Sequence, residues 1–125
     1  MKTSIYNQHY EHTQWLNKLS FYNDEITLMQ NRLEEISKKN TGKETNLLIE
    51  HFQNQFLIQQ RNMDNLKHLI KHDEKALNNN INSNPVAVDH RKTEDHVQER
   101  DEIESFENNF NTLRKEFNKF LSDKM

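Results

Sequence analysis

The chain has no cysteine. Disulfides, thiolate nucleophiles and cysteine-ligated zinc are therefore excluded. Glycine and proline each occur once, at Gly42 and Pro85. No glycine-rich phosphate loop and no Gly-x-Ser-x-Gly elbow is present. The spacing of histidine, glutamate and histidine found in zinc proteases is missing as well. No apolar run approaches the length of a membrane span. The first twenty residues, MKTSIYNQHYEHTQWLNKLS, lack the continuous apolar stretch of a signal peptide. There is no polybasic run, and a formal charge of −3 is spread over both signs along the chain. Neither nucleic-acid binding nor membrane-surface binding is expected from such a pattern. A cytoplasmic address is the default expectation.

What remains is helix. Only 32% of residues are hydrophobic and 30% are charged. That balance suits long helices with narrow apolar stripes better than a globule with a thick core. The 125 residues fit one domain. Gly42, in KKNTGKET, and Pro85, in NNNINSNPVAVDHRKTE, mark two breaks. A glycine past a helix end can adopt the left-handed conformation that closes it, and proline is tolerated in loops and first turns. The expected helices run over about 4–39, 44–79 and 93–124. The asparagine-rich stretch from Asn78 to Asn84 is expected as a loop. Thr93 and Asp89 are candidate N-caps of the third helix, with Asn84 a third if that helix starts early.

Each helix carries a seam of coiled-coil type, with apolar residues alternating by three and four. In the first it is Trp15, Leu19, Tyr22, Ile26, Met29, Leu33 and Ile36, and the same register reaches back to His12. In the second it is Ile49, Phe52, Phe56, Gln59, Met63, Leu66 and Ile70. In the third it is Ile103, Phe106, Phe110, Leu113, Phe117 and Phe120, reaching back to Glu99 and His96. The fold expected is all-α, an up-down-up bundle of three long antiparallel helices. The second helix has a further apolar set, Leu47, Leu48, Leu57, Ile58 and Leu69. Either these residues pack between the outer helices, or self-association covers them, most simply as a homodimer.

Folding the hairpins about Gly42 and Pro85 brings His12, the stretch His68–Asp73 and the stretch His96–Asp101 to one end. Helix-bundle metal sites are built from histidines and carboxylates on facing helices, and such ligands suit iron, zinc or manganese. The candidate ligands are His12, His68, His72 and His96, with Asp73 or Glu99 as partners. His68 and His72, in KHLIKH, stand four residues apart and share one helical face. Against the stripe Met63, Leu66 and Ile70 that face points outward, so surface residues are the competing reading. For His12 and His96 the competing reading is a polar layer that fixes register.

The order of these residues is similar to that of hemerythrins, four-helix di-iron proteins. His12 stands for the first histidine of that pattern. His51 begins the second motif, with Gln55 where that family has glutamate. His68 and His72 match the third, and His96 with Asp101 the fourth. The resemblance implies a fourth helix and a di-iron centre. It would require a turn inside FLIQQRNMDNL, Phe56 to Leu66, where this sequence has no breaker.

The expected function is a non-enzymatic interaction or assembly module acting through helix–helix packing. The partner would be protein, most simply a second copy of the chain, and no cofactor is called for. The alternative is a histidine/carboxylate metal-binding bundle. An uninterrupted second helix with His68 and His72 outside favours the first reading.

Overall fold

The computed structural model describes residues 5–39, 42–81 and 85–124. Of these, the side chains of 5, 79–81 and 85–95 lie outside the described set. Three helices follow one another: α1, Ile5–Lys39; α2, Lys43–Ile81; and α3, Pro85–Lys124. No strand occurs among the described residues. At 35, 39 and 40 residues the helices are near equal in length, each about 50–60 Å long. The bundle is up-down-up, with α2 packed along both neighbours.

The heptad seams are the core. Trp15, Leu19, Ile26, Met29 and Leu33 of α1 are buried, with Tyr22 and Ile36 half-buried beside them. Every seam position of α2 from Ile49 to Ile70, Gln59 included, is buried, as is every seam position of α3 from Ile103 to Phe120. Phe52, Phe56, Phe117 and Phe120 form an aromatic cluster at one end, with ring centroids 5.1–6.3 Å apart. Burying each such ring stabilises the fold by roughly 1.5–3 kcal/mol.

The helix ends differ from the expectation in three places. α3 begins at Pro85, so Asp89 and Thr93 lie inside the helix and are not its caps. Proline suits a first helical position, because its fixed φ is already helical and its missing N–H has no intrahelical partner there. Asn84 lies outside the described residues. α2 runs on through the asparagines to Ile81, with Leu77 fully buried in its last turns. Packing there overrides the weak helix propensity of asparagine. Gly42 has no positive φ. Its carbonyl accepts a hydrogen bond from the Asn46 N–H at 3.0 Å, so Gly42 opens α2 and does not close α1 with a left-handed turn.

Among the described residues, the parallel pair α1 and α3 is joined by three charged rungs. Arg100 reaches Glu11 at 2.6 Å, Lys18 reaches Glu107 at 3.3 Å, and Arg114 grips Glu25 with two nitrogens, one of them at 2.8 Å. Each rung joins residues 89 apart in sequence, and the rungs recur at heptad spacing.

The second apolar set of α2 does not pack between its neighbours. Leu47, Leu48, Leu57, Ile58 and Leu69 are all exposed, Ile58 by 44%.

Candidate functional site

At the end of the bundle away from the phenylalanine cluster, the seams turn polar. His12 of α1, His96 and Glu99 of α3 are each no more than 3% exposed. His96 and Glu99, three residues apart, lie on one helical face, and the parallel register sets them against His12. The two imidazole centroids are 5.2 Å apart. Trp15, one turn along α1 from His12, stacks on His96 with ring centroids 4.8 Å apart and planes inclined by 26°.

Each histidine is held at one nitrogen by a carboxylate. His12 Nδ1 lies 2.5 Å from Glu74 of α2, and Glu74 also contacts His9. His96 Nε2 lies 3.1 Å from Glu11. Burial alone would push the Glu11 carboxyl up, but the hydrogen bonds from Arg100 and His96 outweigh it and hold this carboxyl below its ordinary value. Burial pushes His96 below the usual histidine value, against the pull of Glu11. Hydrogen bonding to Glu11 in turn raises Arg100. An ionised Glu11 only accepts hydrogen bonds, so His96 donates from Nε2, and in the neutral ring that burial favours Nδ1 carries the lone pair.

Several buried atoms of the layer are unsatisfied. His96 Nδ1 and both Glu99 oxygens are buried without a hydrogen-bond partner. His12 Nε2 is 3.3 Å from Glu99 Oε2, within ion-pair distance. The two groups are not aligned for a hydrogen bond. One ligand atom from each of His12, His96 and Glu99 lies within 4.8 Å of the other two.

The four histidines read from the sequence therefore separate. His12 and His96 meet in the core. His68 and His72 lie on the exposed face of α2, where His72 Nδ1 is 3.4 Å from Asp73. Glu99 is in the layer and Asp73 is not. The hemerythrin-like arrangement is not formed. α2 is unbroken from Lys43 to Ile81, so His51 and His68 sit on one rod about 25 Å apart, and both are exposed. His9, which carried no signal in the sequence, contacts Glu74. The side chain of His90 lies outside the described residues. The supporting carboxylates Glu11 and Glu74 were also missed. Glu74 continues the α2 seam beyond Ile70 by a step of four, and Glu11 shares a heptad spacing with Lys18 and Glu25.

A second surface stands out on α2. Leu47, His51, Asn54, Ile58, Asn62, Asn65 and Leu69 follow one another by steps of three and four, and all are exposed. None is Lys, Arg, Asp or Glu, in a chain that is 30% charged. No helix of the described residues is long and apolar enough to cross a membrane.

Comparison with protein-family models, with curated proteins and with solved structures finds no match to this chain.

Proposed function

We propose that this protein is a non-enzymatic assembly module that pairs with a second copy of itself along α2. The observation that carries the reading is the symmetry of the exposed, uncharged stripe. A two-fold contact needs a patch that matches itself. From Leu47 to Leu69 the stripe steps by four, three, four, four, three, four, which is the same in both directions about Ile58. Antiparallel pairing about that residue sets Leu47 against Leu69, Asn54 against Asn62, and Ile58 against its own copy. Only His51 opposite Asn65 departs from the palindrome. The apolar anchors, eleven residues apart, stay within about 40° of one line on a helix, over a span of about 33 Å. The asparagines supply amide groups that can pair across the axis and reject shifted registers, as polar layers do in helical assemblies.

Because the chain has no cysteine, single-cysteine variants read the contact directly. Ile58→Cys should give a disulfide-linked dimer under mild oxidation. Leu28→Cys, at an exposed position of α1, should not. Sedimentation should show a dimer for the wild type and a monomer of unchanged helicity for Ile58→Glu. A wild type that sediments as a monomer at its highest soluble concentration would sink the reading, as would an Ile58→Glu variant that stays dimeric.

A further inference from the structure

We infer that His12, His96 and Glu99 form a binding site for one divalent transition-metal ion of the zinc class, independent of the α2 surface. Three features point there, and each concerns the inside of the layer.

The first is the division of labour on each imidazole. Histidines that bind metals usually give their second nitrogen to a carboxylate, which fixes ring orientation and raises ligand basicity. Glu74 occupies Nδ1 of His12 and Glu11 occupies Nε2 of His96. His96 Nδ1 is left without a partner, and His12 Nε2 is the nitrogen that lies beside Glu99.

The second is the lack of satisfaction inside. Buried polar atoms nearly always find partners, and exceptions ask for a cause. Three of the five such atoms among the described residues lie here, Nδ1 of His96 and both oxygens of Glu99, on side chains 2–3% exposed; the others are on Gln59 and Glu107. The 3.3 Å between His12 Nε2 and Glu99 Oε2 matches the separation of two ligands about 2.0–2.1 Å from a tetrahedral ion. An ion between these atoms would satisfy them together.

The third is charge. Glu11, Glu74 and Glu99 contact the two imidazoles, and Arg100 is the one guanidinium among the described side chains there. A buried carboxylate without a hydrogen-bond partner, as Glu99 is, is costly to keep ionised, and a divalent cation beside it offsets that cost.

Imidazole and carboxylate without thiolate suit zinc, cobalt or ferrous iron. Two histidines and one carboxylate leave one tetrahedral position open. With ligands on α1 and α3 and a supporting carboxylate on α2, the ion would clasp all three helices at this end.

Trp15 is the only tryptophan and stacks on His96, so the site has its own reporter. The full-length, chelator-stripped protein is titrated with Co²⁺, read by Trp15 quenching and visible absorption, and with Zn²⁺, read by calorimetry and melting temperature. One equivalent should bind, quench Trp15 and raise the melting temperature. Glu99→Gln keeps the side-chain shape and should weaken binding at least tenfold with helicity intact. Replacing His68 and His72 together by alanine should leave binding unchanged. Two outcomes overturn the site: no binding of either ion, or binding that Glu99→Gln leaves unweakened, whether or not it is lost with His68 and His72.

Discussion

Tyr22 stands where the apolar seam meets the charged rungs. Its ring lies 4.6 Å from that of Phe110 and 5.6 Å from that of Phe106, with the Arg114 guanidinium 5.9 Å from its centroid. Burial disfavours the phenolate, and the Glu107 carboxylate adds to that, against a smaller opposing effect of Arg114. The phenol is thus raised above its ordinary value in the folded protein. The folded state keeps this proton at a pH where the unfolded chain has begun to lose it. The associated stability is complete below the unfolded value, near pH 10, and is lost as pH rises through the folded one. Tyr22→Phe should match the wild type closely in urea unfolding at about pH 8 and retain more of its stability at about pH 10.5. Parallel losses in both proteins would show that Tyr22 does not contribute. Seam membership of Tyr22 was legible in the spacing, but its electrostatic setting was not. Glu107 and Arg114 approach from α3, 85 or more positions along the chain, and no local pattern brings them there.

Among the elements, α1 and α3 have the most specific joint. Along α1 the rung residues are Glu11, Lys18 and Glu25, and along α3 they are Arg100, Glu107 and Arg114. The signs alternate on both helices. A slip of one heptad would set Glu11 against Glu107 and Lys18 against Arg114, each a like-charge contact. Apolar seams alone tolerate that slip, so the rungs select the register more than they stabilise it. Arg114 also lies 5.0 Å over the Phe110 ring, which adds a cation–π contribution. Arg114→Glu should cost about 1 kcal/mol, since the pair is partly exposed. Adding Glu25→Arg should recover the ion-pair part and leave the loss over Phe110. Urea midpoints of the two single variants and the double variant give the coupling. A double variant no better than the sum of the singles would mean that the rung carries no register information. The existence of three helices and nearly all their buried positions could be read from the three-and-four spacing, because burial on a long helix is periodic. The start of α3 was left between alternatives. The caps at Asp89 and Thr93 and the early start after Asn84 were all open, and the helix takes the early start at Pro85, which proline's geometry at a first turn allows and the apolar pattern does not record.

Across the whole molecule the core changes character from end to end. One end is filled by Leu33, Phe52, Phe56, Phe117 and Phe120, the other by His12, His96 and Glu99 with Trp15 alongside. The hairpin geometry made this division readable in advance, because both breaks were identifiable and the helices are nearly equal in length. The choice of buried histidines followed from the seam, and the exposed pair His68 and His72 fell outside it for the same reason. The carboxylates that hold the imidazoles were not readable, since each acts across a helix–helix contact. The division has a dynamic consequence. Regions open separately when few apolar contacts hold them, and burial of unsatisfied polar atoms offsets part of what packing contributes at the histidine end. Amides near His12, His96 and Leu77 should therefore exchange with deuterium at least about tenfold faster than those near Phe56, Phe110 and Phe117, whose exchange approaches the limit of global unfolding. The gradient should appear in native-state hydrogen exchange of the metal-free protein. Zn²⁺ should flatten it, because ligands on α1 and α3 can be joined only when this end is closed, and binding to the closed form alone protects it by mass action. A uniform exchange rate along all three helices without metal would instead show that the bundle opens as one cooperative unit, and that the polar layer is as firmly held as the aromatic one.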